Sequence, residues 1–183
     1  KGQNVKLAST LTNLEIDILT EEEEAERRQV EFKTRTNMLI ENLDVEDVIA
    51  QLLVTEGYTS ADSIANENIE NLEKIEGFDA DLSKEIITRA INYLKEKDDE
   101  NIKIINEKIS DQELLNLNDI NNKMLALLAI NGIYTLDDFA NLATFDLLDK
   151  NEGIFRKLDI EEKTVNGMIM KAREKWFKDE QQQ

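Results

Sequence analysis

The residues that ordinarily carry protein chemistry are unevenly supplied in this sequence. It has no histidine and no cysteine. Zinc fingers, haem ligation, disulfides and thiol nucleophiles are therefore excluded, and the commonest general base is missing. What remains are carboxylates, amines, a few aromatic rings and the glycines of turns. Glu21 to Glu24 place four carboxylates in a row. A dedicated calcium loop alternates its oxygen ligands around a central glycine; this run does neither and reads as the start of a solvated helix. Asp137 and Asp138 follow Thr135, and a helix cap explains them more simply than a pair of catalytic acids. The expectation is a protein that is not an enzyme and uses no metal or cofactor.

The charge balance narrows the class of partner. Lys plus Arg number 22 against 40 Asp plus Glu, a net charge of −18 in 183 residues. Affinity for nucleic acid comes largely from Lys and Arg, so broad phosphate binding is disfavoured. One local exception is the basic strip Lys171, Arg173, Lys175 and Lys178, which is either a solvated helix face or a surface for an acidic partner. Within it, Trp176 and Phe177 either close a core or form an aromatic anchor for a protein partner. No apolar run approaches the ~20 residues of a membrane span. With no secretory signal at the start of the sequence, a soluble, cytoplasmic, monomeric protein is expected.

Positioning these groups falls to helices. There is no proline, and the six glycines are too few for a turn-rich β-fold. The expected class is all-α, preceded by a short helix-plus-strand remnant. That remnant is residues 1–20, where Val5, Leu7, Ala8 and Leu11 fit a helix, then Leu14, Ile16 and Ile18 alternate with acids as a strand does. One strand is not a domain, so the chain is expected to start inside a larger protein. A helical connector follows over 21–41, with acids first and bases later. A first helical repeat occupies 42–97, with Asp44 as the expected N-cap of its leading helix. A linker spans 98–109, centred on the charged run Glu96 to Asn101, with Ile102, Ile105 and Ile109 as a further helical stripe. A second repeat spans 110–180.

The duplication is visible directly. Gln51 to Ala65 can be laid on Ala126 to Ala140 at a constant offset of 75, with Leu52, Leu53, Gly57, Asp62 and Ala65 matched identically. Each copy is an amphipathic helix, a short glycine turn and a second helix. Gly57 and Gly77 both follow apolar stripes, so the first repeat holds two such hairpins.

This pattern resembles a tandem helix-hairpin-helix domain, whose usual form binds nucleic acid without reading sequence. Hairpin amides and a helix N-terminus then hold a backbone phosphate. That use is the alternative reading here. The charges oppose it: 36–94 carries 13 acids and 3 bases, and the turns read Glu56-Gly57 and Glu76-Gly77.

Three segments together resemble the C-terminal part of the NusA family of bacterial transcription factors. Gly2 to Ser9 with the strand Leu14 to Ile18 is similar to the end of that family's second KH domain. Glu21 to Arg28 and Leu52 to Tyr58 are similar to its connector and first acidic repeat. Met170 to Arg173 with Trp176-Phe177 is similar to the end of its second acidic repeat. The resemblance implies an RNA polymerase accessory factor acting in elongation, pausing, termination and antitermination. The acidic repeats would bind proteins, including the C-terminal domain of the polymerase alpha subunit and other elongation or antitermination factors, and in some members would mask the RNA-binding domains. RNA would be contacted only through complete KH domains; Lys1, Gly2, Asn4 and Lys6 are what this chain retains of one. The hairpin positions are Gly57, Gly77 and Gly132. Aligning Ala90 with Ala172 puts Asp159 where Gly77 sits, with an insertion between Ile154 and Ile160. The protein-binding candidates are Lys171, Arg173, Trp176 and Phe177, the second repeat being assigned the alpha contact.

Overall fold

The computed structural model of the protein describes residues 20–180, which are helical with no strand among them. The strand expected near residue 16 lies outside the described residues. The chain divides into two units, 1–93 and 94–183.

In the first unit, helix α1 (Glu21–Leu43) opens on a reciprocal cap. The Glu23 N–H donates to Thr20 Oγ1 at 3.2 Å, and the Thr20 N–H donates to Glu23 Oε2 at 2.8 Å. This arrangement satisfies two of the amide groups that a helix start leaves without partners. The early turns of α1 are solvated, as their composition demands. The last turns are not: Thr36, Leu39 and Leu43 are buried, so the helix expected as a connector ends inside the first core. Asp44, expected as an N-cap, instead ends α1 in the left-handed conformation at φ 50, ψ 47. Aspartate tolerates that conformation better than most residues.

Glu46 then takes the N-cap of α2 (Asp47–Thr55). Next come α3 (Ala61–Ala65), capped by Ser60, and α4 (Ile69–Leu72), capped by Asn68. The last element, α5 (Ala80–Lys108), begins where Asp79 Oδ1 accepts the Leu82 N–H at 2.7 Å. Leu39, Leu53, Ile64, Leu72 and Ala90 are fully buried and form the centre of this unit's core.

The charged run expected as a linker is helical. α5 continues through Glu96 to Asn101 without a break. The run contains no glycine or proline to stop it, and Lys97 pairs with Glu100 one turn on at 2.8 Å. Its apolar residues serve both cores: Ile86 and Ala90 are buried in the first unit, Ile105 in the second.

The second unit adds α6 (Gln112–Leu115), α7 (Asn122–Ile130), α8 (Leu136–Ala140), α9 (Thr144–Leu148) and α10 (Glu162–Glu180). Its centre is Leu114, Leu128, Phe139, Leu147, Phe155, Val165 and Met168. The duplication is exact at the level of elements: α7 and α8 begin and end at an offset of 75 from α2 and α3, and α9 begins at that offset from α4. α10 begins 82 residues after the start of α5, so seven residues have been added after the start of α9, one of them to α9 itself. The left-handed aspartates obey the rule too. Asp44 and Asp119, at φ 50 and 68, are the non-glycine residues with positive φ among those described, and they also lie 75 apart.

Candidate functional site

The hairpins are the natural place to look for a ligand. Gly57, Gly77 and Gly132 have φ of 94, 88 and 84, a conformation glycine adopts without steric cost. At the first, the Gly57 N–H donates to Val54 O at 3.1 Å and the Tyr58 N–H to Leu53 O at 2.9 Å. The second unit repeats this, with Gly132 to Ala129 O at 3.3 Å and Ile133 to Leu128 O at 3.0 Å. This pair of bonds closes the end of a helix on itself. It also commits the turn amides to the protein's own carbonyls.

The amides that follow the second unit's turn are committed as well. Asp138 Oδ2 accepts from the Tyr134 and Thr135 N–H groups at 3.1 and 3.0 Å. Asp111, the cap of α6, accepts the Leu136 N–H at 2.7 Å. Two carboxylates thus occupy the place a phosphate would take on three successive amides. The Asp138 carboxyl is held below its ordinary value by the Tyr134 backbone bond first, then by Thr135. Asp137, the other half of the suspected pair, accepts from Trp176 Nε1 at 3.1 Å. Both aspartates are therefore accounted for as a cap and an anchor. Among the described residues, no group of three or more acids is placed to hold a metal ion.

Asp159 lacks the positive φ that a glycine-like hairpin role requires. The second unit solves the turn before α10 differently. Asp149 Oδ1 accepts from Asn151 and Glu152 at 2.9 and 2.8 Å, and these bonds hold its carboxyl below the ordinary value. Gly153 lies so close to this turn that a Cβ there would stand 2.5 Å from Asp149 N and 2.7 Å from Leu147 O. Just beyond it, Phe155 is fully buried. The added residues carry their own core side chain.

The basic strip is partly spent within the second unit. Lys171 Nζ donates to Asp119 Oδ2 at 2.8 Å. Arg173 donates from Nε to Ala140 O at 2.8 Å and from Nη2 to Leu142 O at 3.0 Å. Lys171 lies 82 residues after Arg89, which donates to Leu43 O at 3.3 Å and to Asp44 O. In both units a cation on the last helix clasps the left-handed aspartate turn. Sequence reasoning missed this clasp; carrying the 75 offset back to Asp44 and Asp119 was the available signal. Trp176 packs half-buried against the core, whereas Phe177 is 52% exposed. Further exposed apolar groups, Phe145 at 71% and Met170 at 55%, were not singled out by the sequence. Met170 lines a groove of about 180 Å³ with Leu142, Thr144, Asn166, Ile169 and Arg173.

The first unit has a groove of its own, about 340 Å³, between the Asp44 turn and α5. Its floor is Val45, Ile49 and Ile86, and its rim carries Glu46, Glu85 and Arg89. At the matching positions of the second unit stand Asn121 and Gly167 in place of the two glutamates. Lys1, Gly2, Asn4 and Lys6 lie outside the described residues.

Known proteins place this geometry. Residues 37–90 match the family model described as a SAM-like helix-hairpin-helix tandem. Over 143 residues, 78% of its length, the chain is 43% identical to the transcription termination/antitermination protein NusA of Rickettsia conorii (strain ATCC VR-613 / Malish 7). Across that span the chain matches NusA. The NusA of Rickettsia prowazekii (strain Madrid E) matches to the same extent. In each case the match covers 28% of the NusA protein, so the chain spans little more than a quarter of these relatives. The helix-hairpin-helix match agrees with an all-helical region of repeated hairpins. No helix among the described residues is long and apolar enough to cross a membrane.

Proposed function

We propose that this chain is the protein-binding region of a transcription termination/antitermination factor that works in the cytoplasm with RNA polymerase. Its two acidic helical units bind proteins of the transcription machinery rather than nucleic acid. The observation that carries this reading is the occupation of the three amides that follow the second unit's turn, Tyr134 to Leu136, by Asp138 and Asp111. A phosphate would have to displace two carboxylates there. The first unit's hairpins are met by a local net charge of −10 over 36–94, from 13 acids and 3 bases. In this reading RNA is contacted through the complete KH domains of the full-length protein, and the acidic units mask them.

For the C-terminal domain of the polymerase alpha subunit, the second unit is the proposed partner surface. Charge alone favours the first, because 110–180 carries 14 acids and 9 bases. Exposed aromatic side chains favour the second: Phe145 and Phe177 are the kind of residue that anchors an interface, whereas 42–97 exposes the aliphatic Val48, Ile69 and Ile91, and charge mainly speeds encounter.

The test is a titration of the labelled chain followed by backbone NMR. Alpha C-terminal domain should shift resonances within 110–180. Shifts confined to 42–97 would move the contact to the first unit, and no shifts in either would remove this partner. Random duplex DNA added at physiological salt should shift nothing. Micromolar, salt-weakened binding to it would favour the nucleic-acid reading.

A further inference from the structure

We infer that Asn131–Gly132 is a site of spontaneous deamidation and that its structural context, more than its sequence, selects it. The chain contains two Asn–Gly pairs, Asn131–Gly132 and Asn166–Gly167. Both asparagines and both glycines are exposed, so solvent access does not distinguish them. Their backbones do. Asn166 lies inside α10 (Glu162–Glu180), where the helical ladder fixes the peptide plane on either side, and its Oδ1 also accepts from Thr144 Oγ1. Asn131 is the C-cap of α7, at φ −90 and ψ 11, already outside the helical basin. The next residue is the positive-φ Gly132, with nothing within 4 Å of where a Cβ would stand.

The step is intramolecular. The backbone nitrogen of Gly132, losing its proton to water or hydroxide, attacks Cγ of Asn131. A C–N bond forms, the bond to Nδ2 breaks and ammonia leaves, giving a cyclic imide. Water then opens the imide at either carbonyl, to aspartate or to isoaspartate. Reaching the attacking geometry requires the Gly132 N–H to release Ala129 O, a bond of 3.3 Å, and Asn131 Nδ2 to release Leu127 O at 2.8 Å. Those are local events at an exposed turn. At Asn166 the same rotation requires opening the second turn of a helix whose neighbouring residues Val165 and Met168 are fully buried. Local openings of exposed turns cost less than openings of packed helices.

The aspartate product suits the fold. The equivalent C-cap in the first unit is Glu56, at φ −80 and ψ 1, so a carboxylate already occupies this position once in the molecule. Deamidation would give the second hairpin the acidic character of the first. The isoaspartate product inserts an extra backbone atom and would loosen the turn.

The experiment is to age the intact chain in mildly alkaline buffer, digest it and follow both sites by mass spectrometry, separating isoaspartate chromatographically. A parallel sample is kept in concentrated urea. The expected result is a gain of about one dalton at Asn131 that runs roughly tenfold or more ahead of Asn166 in the folded chain, with the two rates converging in urea. Equal rates in the folded chain, a faster Asn166, or modification at neither site while both react in urea would overturn the inference. The variant Asn131→Asp should fold with a nearly unchanged melting temperature; a large drop would overturn the claim that the aspartate product is tolerated.

Discussion

The two units are the same sequence of turns and helices executed with different chemistry. Through the first three of the four matched helices they keep a strict offset of 75, down to the left-handed aspartates. After that they part. The first unit turns into its last helix at Gly77, using positive φ in open space. The second uses seven more residues, a carboxylate-capped turn at Asp149, a glycine chosen for close approach and a buried phenylalanine. One backbone trajectory therefore admits two solutions: conformational freedom in one unit, added packing in the other.

The largest expected effect lies where the units differ most. Phe155→Ala should cost about 3–5 kcal/mol, as for other buried aromatics, and chemical denaturation of the chain should show a lowered transition. If the extra residues were mere loop, the loss would be under ~1 kcal/mol. Gly153→Ala comes next at about 2–3 kcal/mol, because its new Cβ meets backbone atoms that cannot yield cheaply. Gly57→Ala should cost only about 1–2 kcal/mol, since it meets open space and suffers φ strain alone. Melting temperatures in the reverse order would break the distinction between the two kinds of glycine.

Acid should test the carboxylate caps of the second unit. Asp138 and Asp149 have carboxyls held below the ordinary 3.8 by hydrogen bonds made in the folded state. Their contribution is complete above that value and is lost as pH falls through the lowered one. The amides of the second unit's turns should therefore exchange faster below about pH 4. Asp138→Asn should remove part of that pH dependence, and an unchanged acid profile would show that its cap contributes little. The smallest effect belongs to Ser83, whose Oγ is buried with no hydrogen-bond partner among the described residues. The second unit places Val165 at the matching position, also fully buried. Ser83→Ala should leave stability unchanged or raise it by up to ~1 kcal/mol, read from the same denaturation curves.

Much of this was legible in the sequence for definite reasons. Leu52, Leu53 and Gly57 recur as Leu127, Leu128 and Gly132, and apolar periodicity ending at a glycine is a strong local signal of helix and turn. The boundaries were less legible. Glu96 to Asn101 looked like a linker because charge stood in for disorder, yet charges without a breaker make a solvated helix. Asp44 looked like a helix start because the side chain that caps also tolerates the left-handed end. Asp159 was assigned by counting residues, and counting fails across an insertion. The clasp of Arg89 and Lys171 was hard to see beyond the 75 offset of its aspartates, because its acceptors are carbonyls in one unit and a carboxylate in the other. Similarity of side chains does not report that equivalence.

The residues added between α9 and α10 have a consequence for how such a chain can change. They leave the following helix in phase: Ala90 and Ala172, at 0% and 1% exposure, each still face the core of their own unit. An insertion within a helix would have rotated every later side chain by about 100° per residue. Placed in the joint, it passes without re-aiming any of them. In the first unit the corresponding joint, between Leu72 and Ala80, is where added length would spare the register of the helix beyond, so long as the buried Ile75 and Phe78 keep their places.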